Sequence, residues 1–115
     1  MDPRFHHGAD LFNRGEFFDA HEVWEDVWRE APPEHKKFLQ GLIQIAVALH
    51  HYSRGNVVGA RSLLARADIN LALYPATYLG IGNDDVRKQL AAARNAIEHG
   101  RQCGFCIQVT GMDKN

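Results

Sequence analysis

The clearest helical pattern in the chain is Glu16-Phe17-Phe18-Asp19-Ala20-His21-Glu22-Val23-Trp24-Glu25-Asp26-Val27-Trp28-Arg29-Glu30. At 100° per residue, its large apolar side chains fall on one face, and two of its acidic side chains fall opposite. The apolar face comprises Phe17, Phe18, Ala20, Trp24, Val27 and Trp28. The pattern predicts an amphipathic helix whose aromatic band packs in a core.

Four further helices are predicted around this one, because proline and glycine residues divide the chain into helix-length segments. Asp2 followed by Pro3 predicts the start of the first helix. The expected helices cover about residues 3–13, 16–30, 33–54, 57–73 and 83–99. Asn56 and Asn83 are expected to cap the last two helices, and residues 74–82 to form a loop between them.

A weak internal repeat relates two parts of the chain, since residues 15–21 align with residues 55–61. Each copy has a glycine turn, a helix start and then a small alanine, as helical-hairpin repeats do. We therefore predict an all-α fold: a compact bundle of about five helices, built from two antiparallel helical hairpins and a covering helix. In this prediction residues 1–100 form a single domain, and residues 101–115 form a C-terminal arm or tail.

Composition and length exclude several classes of protein. The 115 residues are too few for a TIM barrel or for a dinucleotide-binding domain with a separate substrate domain. The formal net charge of −1 supplies no strong field that would steer the chain towards nucleic acid. The most apolar stretch, residues 38–49, is too short and too polar to span a membrane. With no apolar N-terminal targeting segment and no disulfide framework, a cytoplasmic location is expected.

One imidazole and one carboxylate lie where the helix of residues 16–30 is otherwise apolar. His21 and Glu25 are one turn apart inside the apolar arc, and Glu22 lies at its boundary. A polar pair that holds the helix in register is one interpretation, because buried polar groups need partners. Metal or acid–base chemistry is the other, although the residue order differs from the His-Glu-x-x-His zinc motif and from the Glu-x-x-His of di-iron bundles.

A polar stripe follows the third predicted helix. Gln40, Gln44 and His51 fall within about 40° of each other on a helix that is apolar on most other sides. If the stripe faces the second helix, these side chains form a cluster with His21 and Glu25. If it faces water, it is a solvated edge. The sequence leaves both arrangements open.

The C-terminal arm contains a CxxC motif, Cys103-Gly104-Phe105-Cys106. A single CxxC supplies half of a structural zinc site, and no second pair is present. Two unreactive thiols are the simplest interpretation; a zinc ion shared between subunits and a disulfide within the arm are the alternatives. Residues 103–109 are expected to form a short strand or an ordered arm, and residues from Gly111 onward to fray.

Three blocks of the sequence are distinctive: Phe12-Asn13-Arg14-Gly15-Glu16-Phe17-Phe18-Asp19-Ala20-His21-Glu22-Val23-Trp24-Glu25, Phe38-Leu39-Gln40-Gly41-Leu42-Ile43-Gln44-Ile45-Ala46, and His51 followed by Gly55-Asn56-Val57-Val58-Gly59-Ala60. These blocks resemble the DUF309 family, whose members are small all-helical proteins, chiefly of bacteria and archaea, with no established activity. The resemblance implies a polar cluster between the second and third helices, because the family pattern includes the positions of His21, Glu22, Glu25, Gln40, Gln44, His51 and Asn56. The CxxC motif lies outside that pattern.

Two hypotheses for the function follow. The first is a small non-catalytic binding or interaction module whose buried polar cluster fixes helix packing; its members are His21, Glu22, Glu25, Gln40, Gln44 and His51. The alternative is a metal-dependent, hydrolase-like enzyme with a divalent metal between the second and third helices. Its ligands would be His21, Glu25 and His51, with Glu22 as the general base and Gln44 orienting substrate or water. The sequence leaves open whether the protein is an enzyme.

A homodimer is a further expectation, because a dimer interface would cover apolar residues that lie outside the predicted helices. These residues are Tyr74, Tyr78, Leu79 and the arm Phe105-Cys106-Ile107.

Overall fold

The structure is a computed structural model that describes residues 2–109, and it confirms the all-α fold. Its helices are α1 (Pro3–Asn13), α2 (Phe17–Glu30), α3 (Pro33–Ser53), α4 (Val57–Leu71) and α5 (Asn83–Glu98). Two short antiparallel strands, β1 (Thr77–Tyr78) and β2 (Ile81–Gly82), lie between α4 and α5. The helix bounds agree with the sequence pattern to within about two residues, which is the usual uncertainty of a helix end.

Local signals set the helix starts where the sequence places them. The Asp2 carboxylate accepts a hydrogen bond of 2.9 Å from the Arg4 backbone N–H, and Pro3 occupies the first helical position. The Arg4 side chain also binds Asp2, which holds the pKa of that carboxyl below its usual value. At α4, the Asn56 side chain accepts a hydrogen bond of 3.0 Å from the Gly59 N–H.

The internal repeat corresponds to two similar helix–turn–helix units. Gly15 and Gly55 have φ angles of 85° and 83°, and each ends a helix with a left-handed residue. Ala20 and Ala60 are fully buried, which lets the neighbouring helices approach. Along the chain, α1 packs on α2, α2 on α3 and α3 on α4, while α5 packs mainly against α4 and the two strands.

The core contains most of the aromatic band predicted for α2. Trp24 is fully buried between the rings of Phe5 and Phe12, and its indole N–H donates a hydrogen bond of 3.0 Å to the Phe5 carbonyl oxygen. The prediction was wrong for Phe18, which remains 48% exposed. Phe18 lies at the edge of the apolar arc, about 100° from Phe17, so the core does not reach it.

The segment between α4 and α5 was predicted as a loop, and the structure corrects this. Leu79 and Gly80 form a two-residue turn between β1 and β2, with φ angles of 51° and 75°. The expected cap role of Asn83 was also wrong, because Gly82 occupies the cap position of α5. The buried Asn83 side chain instead donates to the carbonyl oxygens of residues 71, 74 and 75, at 2.9, 3.2 and 3.1 Å. It thereby satisfies carbonyls at the end of α4.

The described part of the C-terminal arm, residues 101–109, packs against the helices. Ile107 is 1% exposed, and Val109 pairs with Ile81 of β2 in an isolated antiparallel bridge. Residues 110–115, where fraying was expected, lie outside the described residues.

The apolar residues that motivated a homodimer are largely covered within the chain. Tyr74 and Tyr78 stack with the Phe38 ring and donate hydrogen bonds to the Glu34 carbonyl oxygen at 2.7 and 3.3 Å. These two rings are therefore packed within the chain, and the homodimer stays a prediction. Among residues 2–109, no helix combines the length and apolar character that a membrane crossing requires.

We predict that Asn83→Ala lowers the free energy of unfolding by about 1–3 kcal/mol, because the carbonyl oxygens of residues 74 and 75 lose their side-chain donor and that of Leu71 loses one of two. Asn95→Ala is the matched control: Asn95 is exposed on the same helix, and its replacement should change stability by less than about 0.5 kcal/mol. Urea denaturation of both variants measures the difference, and equal small losses would contradict a structural role for Asn83.

Candidate functional site

A cavity of about 230 Å³ lies between α2, α3 and α4, and four of the predicted polar side chains line it. His21 and Glu25 come from α2, and Gln40 and Gln44 come from α3. Each pair is spaced by one helical turn, so both of its members lie on the same side of their helix. The remaining walls are apolar and consist of Trp28, Ile43, Val47 and Leu63.

The imidazole of His21 is held from one side by the backbone. Its Nδ1 lies 3.1 Å from the Phe18 carbonyl oxygen, which can only accept, so Nδ1 carries the proton of that hydrogen bond. The Nε2 atom then lies 3.5 Å from Oε2 of Glu25. In the neutral ring Nε2 accepts a hydrogen bond, whereas in the imidazolium it donates one to the carboxylate.

The cluster is not buried in the way the sequence suggested. The His21 side chain is 17% exposed, but the Glu25 side chain is 42% exposed and Gln40 is also on the surface. Oε1 of Glu25 lies 3.8 Å from the Arg29 guanidinium, which is exposed as well. The polar groups therefore form the rim of a surface cavity, where water still solvates the charge.

Gln44 is oriented by a neighbouring helix. Its Oε1 accepts a hydrogen bond of 3.0 Å from Nδ2 of Asn70 on α4, which fixes the direction of the amide. Within residues 2–109, no side chain or backbone group accepts a hydrogen bond from the Gln44 NH₂ group. Gln44 thus keeps donors for a molecule outside the chain.

Trp28 is the aromatic wall of the cavity. The Lys36 ammonium lies 4.3 Å from its ring centroid and donates a hydrogen bond of 2.7 Å to its carbonyl oxygen. The indole N–H is buried and has no acceptor in the part of the chain that the structure describes. Buried donors without a partner are rare in proteins, and the indole N–H of Trp28 is one of them.

Two of the predicted site residues do not reach the cavity. Glu22 is exposed on α2, as its position at the boundary of the apolar arc allows. His51 lies on the same stripe as Gln44 but two turns further along α3, a rise of about 10 Å. Its ring lies beside that of His50 instead. In residues 2–109 no three His, Cys, Asp or Glu side chains are grouped to hold a metal ion, so the predicted ligand set is not assembled.

A larger cavity of about 630 Å³, which the sequence patterns did not indicate, lies where α1 begins and α2 ends. Its polar lining includes Asp2, His6, Glu30 and His35. Both carboxylates already pair with the Arg4 guanidinium, at 2.6 and 2.9 Å. Several separate segments build this cavity, so no spacing within one helix could reveal it. The smaller cavity is the one in which four of the predicted site residues converge.

The helix α2 is acidic, mainly on the face that points away from the smaller cavity. The helix α2 carries one basic side chain, Arg29, and the acidic side chains Asp19, Glu22, Glu25, Asp26 and Glu30. The whole chain has a formal charge of only −1, so negative charge is concentrated on this helix. Such a face favours positively charged partners.

We predict that His21→Ala lowers the free energy of unfolding by about 1 kcal/mol, because it removes the hydrogen bond to Phe18 while Glu25 remains solvated. Glu22→Ala, an exposed change one residue away, should cost less than about 0.5 kcal/mol. Chemical denaturation tests both variants. A loss above about 3 kcal/mol for His21→Ala would indicate a buried ion pair and contradict the exposed geometry.

Comparison with known proteins places this site within a recognised domain. Residues 5–63 match the family described as "Domain of unknown function (DUF309)", and every residue that lines the smaller cavity lies in that range. The uncharacterized protein YpuF of Bacillus subtilis (strain 168) is 43% identical over 53 residues, which are 45% of this chain and 30% of that protein.

An uncharacterized protein of Aquifex aeolicus (strain VF5) is 33% identical over 90 residues, which are 77% of this chain and 27% of that protein. The chain therefore spans less than a third of the length of either relative. The family match covers more than half of this chain and includes every residue that lines the smaller cavity, so the chain belongs to the DUF309 family.

Proposed function

We propose that the protein is a non-catalytic binding module that accepts a cationic side chain of a partner protein in the cavity between α2 and α3. The observation that carries the proposal is the convergence of four polar side chains from two helices on one small cavity with apolar walls. Binding sites combine an apolar lining with a few polar groups that orient the bound molecule.

The volume of the cavity favours a side chain over a free metabolite. Small-molecule sites usually occupy about 300–1,000 Å³, whereas this cavity measures about 230 Å³. One long side chain fills such a space while the rest of its protein stays outside. Phe18 is 48% exposed, and its ring centroid lies 5.2 Å from that of His21, so an apolar contact is available beside the mouth.

The chemistry of the lining favours lysine or arginine. Trp28, Ile43 and Leu63 can contact an aliphatic stem, and the Glu25 carboxylate can accept hydrogen bonds from a cationic head. The exposed amide of Gln40 offers another acceptor oxygen. The acidic surface of α2 adds long-range attraction for a basic segment.

We predict that n-butylguanidinium, a model of the arginine side chain, binds saturably at this cavity. In a ¹H–¹⁵N NMR titration, the largest shifts should occur at the backbone amides of His21 and Glu25 and at the side-chain amide of Gln44. Glu25→Gln should weaken binding about two- to fivefold, the range expected for an ion pair exposed to solvent.

The matched control is Glu22→Gln, which removes the same charge from the same helix outside the cavity. It should change the affinity by less than about twofold. Equal losses in both variants would mean that n-butylguanidinium responds only to the general charge of α2. Absence of saturable shifts would refute the proposed cation site.

Metal binding distinguishes the binding module from the metal-dependent alternative. His21 and Glu25 supply two donor atoms 3.5 Å apart, and within residues 2–109 no third His, Cys, Asp or Glu is grouped with them. After incubation with zinc, manganese or iron and desalting, we expect no stoichiometric metal by elemental analysis. Near-stoichiometric metal that disappears in a His21→Ala, Glu25→Ala double variant would contradict the non-catalytic module and support the metal enzyme.

A further inference from the structure

The larger cavity lies at the end of the bundle where three helices have a terminus. There α1 begins at Pro3, α2 ends at Glu30 and α3 begins at Pro33. The turn between β1 and β2 contributes Leu79 and Gly80 to the wall. The volume of about 630 Å³ falls within the range of about 300–1,000 Å³ that is usual for small-molecule sites. This cavity can therefore hold a whole small molecule.

The lining becomes more apolar from the rim inwards. Each of the three helices supplies one residue near its terminus and another about one turn further in. The residues near the termini are Asp2, Glu30 and His35, and those further in are His6, Val27 and Leu39. Val27 and Leu39 belong to the hydrophobic core and are 6% and 1% exposed. A bound molecule would therefore meet apolar side chains inside the cavity and polar groups around them.

The charged groups at the rim are already paired with one another. Nη2 of Arg4 donates to a carboxylate oxygen of Asp2 at 2.6 Å and to one of Glu30 at 2.9 Å, and its Nε and Nη1 also donate to these carboxylates. An anion would meet two carboxylates and a guanidinium that is already occupied. A cation would compete with Arg4 for both carboxylates. The pairing therefore favours an uncharged molecule.

The two imidazoles of the cavity are held by aromatic rings. His6 lies edge-on to Phe5 with their ring centroids 6.0 Å apart, and His35 lies edge-on to Tyr78 at 5.5 Å. Both imidazoles are half-buried, and within residues 2–109 neither has a hydrogen-bond partner. A neutral imidazole has one donor and one acceptor nitrogen, and a hydroxyl group likewise donates and accepts. These rings are therefore suited to bind a hydroxyl group.

We propose that this cavity is a binding site for a small, uncharged aromatic compound that carries a hydroxyl group. The ring of the compound packs against Val27, Leu39 and Leu79, and its hydroxyl group binds the imidazole of His6 or His35. An aromatic ring suits the site because a rigid molecule loses little conformational freedom on binding. The two cavities share no lining residue, so this site and the cation site are independent.

β-Naphthol is the probe for the proposed site. In a ¹H–¹⁵N NMR titration of the whole chain at neutral pH, it should bind saturably with a Kd of about 0.1–1 mM. The largest shifts should occur at the backbone amides of His6, Val27, His35 and Leu39. Absence of saturation up to about 2 mM would overturn the proposal.

Two charged analogues test the chemical class of the ligand. β-Naphthoate and β-naphthylmethylammonium present the same ring system with a negative or a positive charge. Each should bind about fivefold more weakly than β-naphthol, or weaker still, because the charges at the rim are already paired. Equal or tighter binding of either analogue would overturn the assignment of an uncharged ligand.

A double variant, His6→Leu with His35→Leu, tests the imidazoles. It keeps apolar walls but removes the hydrogen-bonding nitrogen atoms, so β-naphthol should bind about three- to tenfold more weakly, as expected for one lost hydrogen bond. The matched control is His7→Leu with His99→Leu, which removes two exposed imidazoles outside the cavity. The control should change the affinity by less than about twofold. Equal affinities of the two double variants would contradict the proposal.

A measurement on the unmodified chain locates the probe even if the double variant does not fold. Intermolecular nuclear Overhauser effects should connect the ring protons of β-naphthol to the methyl groups of Val27, Leu39 and Leu79. Contacts to the methyl groups of Ile43 or Leu63 instead would place the probe in the smaller cavity and overturn the proposal. The cation site is tested separately with n-butylguanidinium, so either site can fail without the other.

Discussion

The contact between Trp24 and α1 is the constraint on which the rest of the structure depends. A Cβ atom at Gly8 would lie 2.4 Å from Nε1 of Trp24, so only glycine lets the two helices approach this closely. The buried indole donates to the Phe5 carbonyl oxygen and so fixes the rotation of α2 about its axis. With Trp24 turned towards α1, His21 and Glu25, about 60° and 100° further around the helix, are turned towards α3. The polar cavity is a consequence of that rotation.

The position of the cavity at the surface determines what its residues can do. A carboxylate buried with one histidine would be costly, and the pair would then serve mainly to hold helices in register. Because Glu25 is 42% exposed, its charge is tolerated at little cost and remains available to a partner. The exposed amide of Gln40 adds an acceptor oxygen at the same rim, which suits a partner group that only donates hydrogen bonds.

Three side-chain amides bind backbone groups that regular secondary structure leaves unpaired. Asn83 satisfies carbonyl oxygens after α4, while Asn13 and Gln89 bind both backbone groups of one arm residue each. An amide can donate and accept at once, which makes it a suitable substitute for a strand edge. The arm is therefore held by specific hydrogen bonds as well as by apolar burial.

The sequence by itself determined the helices, since Pro3, Asn56 and the glycines at 15 and 55 act on the backbone nearby. It also determined that His21 and Glu25 are neighbours, because an i, i+4 spacing defines distance within one helix. Only the tertiary structure decided that Gln40 and Gln44 join them while His51 does not, that Glu25 keeps contact with water, and that Asn83 serves α4. These outcomes depend on axial offset and on contacts between segments distant in the chain, and a helical projection contains neither.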